Sequence, residues 1–189
     1  MPDTSQAFFE QKYQQATDPW AYASSAYEQN KYGTTILALK ERRFRRVFEP
    51  GCSVGVLTER LAQMSERLEA IDISPTAVRR ARERCRDYPN VEIREGGLPD
   101  AMPDGRFDLI VFSEIGYYFE PDVLGDVAGG LVDRLETGGV LLAVHWLGRS
   151  TDHRLTGDEV HLILGQLSGL RPWESQRYEG FRLDSWLRV

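Results

Sequence analysis

Two cysteines in 189 residues, Cys52 and Cys85, are too few for a disulfide framework and lack metal-ligand spacing. The expected setting is therefore reducing and cytoplasmic, with no bound metal. Long apolar runs are missing too. The longest, Val140 to Leu147, is too short to cross a bilayer and contains His145, so no membrane partner is expected. The opening MPDTSQAFFEQKYQ has early acids and no apolar stretch of the signal-peptide kind. Net charge is −6, which leaves no basic excess for a phosphate backbone. The arginines of 42–46 and 79–86 read as charged helix surface, and nucleic acid is not the expected partner. No internal repeat or low-complexity tract is present, nor is a G-x-G-x-x-G or G-K-[ST] phosphate loop. The 41% hydrophobic and 28% charged content suits one soluble domain with a sizeable core.

The apolar pattern alternates between strand and helix periods. Residues 1–30 are rich in aromatics, and Asp18-Pro19-Trp20 breaks any helix there. Ser25 and Glu28 have capping-box spacing, which predicts a helix to about Arg43. A strand over Arg46–Glu49 leads to a helix over Leu57–Met64 and a strand over Leu68–Asp72. Ser74-Pro75 opens the next helix, with Ser as N-cap and Pro at its first position. Strands follow at Val91–Arg94 and Phe107–Ser113, then a helix over Asp122–Leu135 and a strand over Val140–Trp146. A capping box at Thr156 and Glu159 starts a helix to about Leu167. Two β-rich pieces, Trp173–Tyr178 and Arg182–Val189, end the chain. The expected fold is α/β: seven strands, mostly parallel, helices on both faces, and a C-terminal antiparallel hairpin at one edge. The expected organisation is a single domain over 1–189, with a helical cap (1–45), a binding core (46–150) and a C-terminal helix and hairpin (151–189).

Ligands of such sheets bind beyond the carboxyl ends of the strands. The stretch VFEPGCSVGVLTERL is the first strand–turn–helix. Gly51 and Gly55 let a ligand approach the main chain, and the helix start offers unpaired amides. Glu49, just before the turn, repels phosphate and attracts a cation. Asp72 closes the second strand, 21 residues after Gly51, the usual place of an acid that accepts ribose hydroxyls. A ribose, a positive group and no pyrophosphate describe S-adenosylmethionine. Each residue also has a plainer reading: Glu49 as a structural acid, Asp72 as a helix cap, the glycines as turn residues.

E-x-G-x-x-x-G at Glu49, Gly51 and Gly55, the acid Asp72 and the strand FDLIVFSE resemble class I S-adenosylmethionine-dependent methyltransferases over about residues 46–146. DPWAYASSAYEQNKYGTTILAL, RLTGDEVHLIL and His145-Trp146 resemble the NodS-like group of these enzymes. The resemblance implies a Rossmann-like domain. It also implies S-adenosylmethionine as methyl donor, S-adenosylhomocysteine as product, and a small or carbohydrate-linked acceptor that is an amine. It implies cofactor contacts from Glu49, Gly51, Cys52, Gly55, Asp72, Ile73, Gly97, Leu98 and Ser113. The N-terminal aromatics have two readings: ordinary helix packing, or a lid over the cofactor with Trp20, Tyr27 and Lys31 facing it. The third-strand loop reads Glu95-Gly96-Gly97-Leu98, without the acid often found near adenine, so main-chain amides and apolar contacts take its place. Glu114 and His145, at strand ends, are the candidates for taking the proton from an acceptor amine; Tyr117 and Tyr118 are candidates to line its pocket, with core packing the plainer reading of at least one. Core packing is the plainer reading of His145, and a loop hydrogen bond that of Glu114. O-methylation of a small phenol or carboxylate, and a cofactor-binding module without catalysis, are the competing readings. No [DN]-P-P-Y follows the fourth strand.

Overall fold

The computed structural model describes residues 4–40 and 42–189. The seven strands make a Rossmann-like mixed sheet with helices. Contacts divide the chain into two units, residues 4–101 and 102–189.

In the first unit, β1 (Phe44–Pro50), β2 (Ser65–Asp72) and β3 (Val91–Glu95) lie parallel in the order β3-β2-β1. Register sets Glu49 beside Ala70 and Asp72 beside Glu95, so the acids stand at the carboxyl ends. α3 (Val56–Ala62) has no side-chain cap; Gly55 stands before it with φ 81°. A Cβ on Gly55 would sit 3.0 Å from Ala81 Cα, so glycine lets α3 start against α4 (Pro75–Arg84). Ser74 caps α4, accepting from Ala77 N at 3.0 Å. Cys52, Ala70, Val78, Ala81, Cys85 and Ile93 pack together beneath the loop.

Two helices precede β1. α1 (Gln6–Gln15) is capped by Ser5, and α2 (Ala26–Ala38) by Ser25. The sequence showed the aromatics of α1 but no helix boundary. α2 stops five residues short of the expected Arg43, because Lys40 turns left-handed at φ 54°. Between them Asp18 Oδ2 accepts from Ala23 N at 2.7 Å and holds the Pro19 turn.

The second unit carries β4 (Phe107–Ser113), β5 (Leu135–Trp146), β6 (Leu170–Arg177) and β7 (Phe181–Arg188) in the order β4-β5-β7-β6. β4 and β5 are parallel, and Phe107, Leu109 and Ile110 on β4 are fully buried. The expected antiparallel hairpin is present at one edge of the sheet. β7 inserts between β5 and β6 and pairs antiparallel with both, so only β6 lies at the edge. Burial explains it: Leu183, Asp184, Ser185 and Trp186 of β7 are buried, whereas β6 is largely exposed. β5 also begins earlier than expected, running through the Gly138-Gly139 bend. α5 (Pro121–Asp133) and α6 (Gly157–Gly165) complete the unit, and α6 carries the expected Thr156–Glu159 capping box.

Candidate functional site

After β1 the chain turns at Gly51, φ 77°. The Gly51 and Cys52 amides donate to the Ile71 carbonyl at 2.7 and 2.9 Å, which clamps the turn to β2. Ser53 follows at φ 51°, a left-handed conformation uncommon for serine. What holds it is Asp72. Its Oδ2 accepts from Ser53 N at 2.8 Å and its Oδ1 from Ser74 N at 2.9 Å. One carboxylate thus ties the turn to the start of α4, as the helix-cap reading required. Each oxygen can accept a second donor, so a ribose diol is still accommodated. Burial raises the Asp72 pKa to about 6 against the pull of the two amides.

Glu49 is the sharper anomaly. It is 2% exposed, and its Oε2 has no hydrogen-bond partner among the described residues. Burial pushes its pKa up to about 8; Thr58 pulls it down and the charge of Asp72 pushes it further up. An orphaned buried carboxylate oxygen is costly unless something cationic meets it. A ligand ammonium would supply that partner, so the donor set fits the implied cofactor.

The third-strand loop joins this group. Gly96 N donates to Asp72 O at 2.9 Å, and Ile73 Cδ1 lies 3.5 Å from where a Gly97 Cβ would stand. Leu98 follows, half-buried. Cys52 is different. Its thiol belongs to the core cluster and its pKa is pushed far up by burial, so only its main chain is left for a ligand.

The N-terminal segment reaches the same loop through residues the sequence did not single out. Tyr13 OH donates to Ser53 Oγ at 2.6 Å. Glu10 accepts from Ser74 Oγ (2.6 Å), Thr76 Oγ1 (2.7 Å) and Thr76 N (3.1 Å) at the start of α4, where a negative charge is favoured. Burial opposes its ionisation, but those bonds hold its pKa down to about 2. Arg80 Nη1 donates to the carbonyls of Tyr13, Ala16 and Thr17, capping the end of α1. Trp20 stacks on Tyr22 and meets Tyr13 edge-on at 5.3 Å. Tyr27 is 38% exposed. Lys31, expected to face the cofactor, is buried, bonds Glu28 at 3.0 Å and lies over the Tyr27 ring.

In the second unit Ser113 ends β4 and Glu114 follows at φ 60°, buried. Glu114 N donates to Val144 O at 2.9 Å. Its Oε2 accepts from Tyr117 OH at 2.5 Å and from Trp146 N at 3.1 Å. A short 3₁₀ turn, Gly116–Tyr118, comes next. Gly116 N donates to His145 Nε2 at 3.0 Å. A Cβ there would come within 2.8 Å of that same nitrogen and 2.5 Å of Val160 Cγ1.

His145 therefore accepts on Nε2 and carries its proton on Nδ1, which lies 3.1 Å from His161 Nε2. By the same logic His161 donates from Nδ1 to Asp184 Oδ2 at 2.8 Å, where Arg182 Nε also donates. Burial opposes ionisation of Asp184, yet the His161 and Ser175 bonds and the Arg182 charge leave its pKa lowered. His145 is fully buried and both its nitrogens are committed. Geometry thus gives it a positioning part beneath the Glu114 turn and leaves it no free nitrogen for an acceptor's proton. His161, Asp184 and His153 escaped the sequence reading. The available signal was a histidine in an apolar helix stripe, Val160-His161-Leu162-Ile163-Leu164.

Tyr117 also stacks on His153, ring centres 3.7 Å apart at 16°. Tyr118 and Trp146 meet that imidazole edge-on at 5.2 and 6.0 Å. Burial, with Glu114 and Asp152 nearby, raises the Tyr118 phenol well above its usual pKa. No trio of His, Cys, Asp or Glu fit to hold a metal occurs among the described residues. No helix there is long and apolar enough to cross a membrane.

A glycine turn after β1, an acid before it and an acid closing β2 on a seven-stranded mixed sheet define the class I S-adenosylmethionine-dependent methyltransferase fold. The model of the family "Nodulation protein S (NodS)" matches residues 2–142, and the chain belongs to that family. It is 31% identical to nodulation protein S of Azorhizobium caulinodans over 87% of this chain and 81% of the relative. To that of Sinorhizobium fredii it is 33% identical over 56% of this chain and 49% of the relative. The matches span about half the length of several such relatives. Among solved structures, N-methyltransferase NodS from Bradyrhizobium japonicum WM9 in complex with S-adenosyl-l-homocysteine superposes with TM-score 0.86 at 24% identity. That match covers 98% of this chain and 99% of the other, a likeness of fold.

Proposed function

We propose that the chain is an S-adenosylmethionine-dependent N-methyltransferase for a small or carbohydrate-linked amine. The observation that carries this is Glu49 Oε2, a buried acceptor lacking a partner, beside a turn that Asp72 pins open. Glu49 would hold the cofactor's ammonium, Asp72 its ribose hydroxyls, and the main chain of 51–55 its amino-acid tail. Ile73, Gly97 and Leu98 would flank the adenine, and Trp20 and Tyr27 would close the N-terminal side. Lys31 is engaged by Glu28, and we give it no cofactor contact. Bound there, the cofactor supplies an electrophilic methyl group. The chain's own task is alignment and exclusion of water. Glu114 is the carboxylate we assign to the acceptor, with Ser113, Tyr117 and Tyr118 around it. The name of the Bradyrhizobium neighbour, an N-methyltransferase, favours nitrogen over oxygen as the methylated atom. We place the protein in the cytoplasm, since both cysteines are free and buried.

The test is a calorimetric titration with S-adenosylhomocysteine, followed by transfer of labelled methyl to a panel. The panel holds glucosamine, its deacetylated β-1,4 tetramer, a simple phenol and a carboxylate. Binding plus turnover of an amine is expected. Turnover of the phenol alone would replace N- by O-methylation, and binding without any turnover would leave a cofactor-binding module.

A further inference from the structure

His153 is held by its faces and not by its nitrogens. Tyr117 covers one face, and Tyr118 and Trp146 meet it edge-on. Neither ring nitrogen has a hydrogen-bond partner among the described residues, although the ring is half-buried. A histidine kept for packing would usually have its nitrogens satisfied, as His145 and His161 do.

The backbone fixes its place as firmly. Arg154 N and Leu155 N both donate to Tyr117 O, at 2.8 and 3.3 Å. His153 N donates to Ser150 O at 3.3 Å. The Arg154 guanidinium pairs with Glu120, just beyond the 3₁₀ turn. The loop carrying His153 is thereby sewn to the turn that carries Glu114. The phenol on which the imidazole stacks is the same one that bonds the Glu114 carboxylate.

We propose that His153 takes the proton from the acceptor's ammonium while Glu114 holds that ammonium. This rests on the N-methylation reading above. A protonated amine has no lone pair to give. Transfer of one proton to a His153 ring nitrogen yields the free amine and an imidazolium. The nitrogen–carbon bond then forms as the carbon–sulfur bond breaks, with the pair left on sulfur. The product leaves as a methylated ammonium, and the imidazolium returns its proton to solvent. The surroundings suit both states. Burial keeps the ring neutral near pH 7 by lowering its pKa, while the charges of Glu114 and Asp152 work the other way. Once charged, the ring faces the Tyr117 π-surface and those two carboxylates. Arg154 is tied to Glu120, Tyr118 stays protonated, and His145 meets Tyr117 edge-on with both nitrogens committed.

The experiment measures methyl transfer to glucosamine and its deacetylated tetramer across pH 5 to 9, in wild type, His153→Gln and Glu114→Gln. In wild type kcat should rise with pH through the His153 pKa. His153→Gln should lower kcat about 100-fold with little change in KM and erase that rise. Free imidazole should restore part of the rate in His153→Ala. Glu114→Gln should chiefly raise KM. A second readout needs no turnover. Of the three histidine Cε1–H signals, the one missing in His153→Gln should titrate below the usual 6.5, and lower still in Glu114→Gln. A wild-type rate and pH rise in His153→Gln, or a His153 signal that does not titrate, overturns the proposal while leaving N-methylation standing. Failure of every amine to turn over overturns the N-methylation reading, and this inference with it.

Discussion

Glu49 should release a proton when the cofactor binds. In the free protein burial raises its pKa from 4.5 to about 8. Ionising it in place costs roughly 5 kcal/mol relative to water, at about 1.4 kcal/mol per pKa unit. At pH 7 an acid with that pKa is about nine-tenths protonated. An ammonium beside Oε2 favours the carboxylate, so binding should expel between about half a proton and one at pH 7. Asp72, at about 6, is already mostly ionised there and adds little. Calorimetry with S-adenosylhomocysteine in buffers of different ionisation enthalpy reads this number directly. Glu49→Gln keeps the shape and removes the charge. It should abolish the release and weaken binding by roughly 1.5–3 kcal/mol, the range of a charge-assisted hydrogen bond. Stability gives an independent check. A carboxyl whose folded pKa is raised adds its full stability below pH 4.5, and loses it as pH rises through about 8. The ligand-free protein should therefore unfold more easily at pH 8.5 than at pH 5, and Glu49→Gln should flatten that decline. No proton release by wild type, or an unchanged release in the glutamine variant, would make Glu49 a structural acid and refute the reasoning.

Asp72→Asn sets an amide NH₂ against Ser53 N or Ser74 N. It should cost about 1–3 kcal/mol in urea unfolding and weaken S-adenosylhomocysteine binding in calorimetry. Gly55→Ala forces a side chain into φ 81° and against Ala81 Cα at 3.0 Å. A loss of about 2–4 kcal/mol is expected by thermal unfolding. Asp184→Ala strips His161 and Arg182 of their shared acceptor. About 3–5 kcal/mol should be lost, and KM for the amine should rise as Gly116 loses its fixed imidazole; Asp184→Asn, which still accepts, should recover most of both.

Elements bounded by local chemistry were legible in the sequence. Ser74-Pro75 starts α4 and Thr156–Glu159 starts α6 because capping depends on residues within one turn. The Gly51 turn and the ends of β1 and β2 were readable for the same reason. What failed depended on partners distant in sequence. The edge hairpin was legible, but that β7 is its inner strand rests on which side chains are buried over long range. α1 is held by Glu10 on Ser74 and Arg80 on the Tyr13 carbonyl, contacts spanning 64 and 67 residues. His145 stood at a strand end, where functional residues gather. The residues that absorb both its nitrogens, Gly116 and His161, are 29 and 16 positions away. His153, in a loop of unremarkable composition, gave no signal until the Tyr117 face was seen against it.

Of the four non-glycine residues with left-handed backbone among the described residues, Ala21 and Lys40 flank α2 and the other two follow strands of the candidate site. Ser53 and Glu114 are left-handed without being glycine, at 51° and 60°. Each follows a strand, and each is held by a hydrogen bond from its own N–H: Ser53 to the Asp72 carboxylate, Glu114 to the Val144 carbonyl. Strain of this kind costs of order 1–3 kcal/mol per residue and persists where surrounding contacts over-determine it. Four residues before Ser53 stands Glu49, a buried carboxylate with one oxygen unpartnered among the described residues, and stacked on the Tyr117 ring that bonds Glu114 is an imidazole with both nitrogens open. A chain shaped for stability alone would have glycine or asparagine at the two turns and an amide at Glu49. Retaining the strain and the buried acid makes physical sense when cationic partners complete both places: a cofactor ammonium at Glu49 and an acceptor ammonium at Glu114. If Glu49→Gln stabilised the free protein and bound S-adenosylhomocysteine as tightly as wild type, the costly carboxylate would serve no ligand, and this account of the first site would fail.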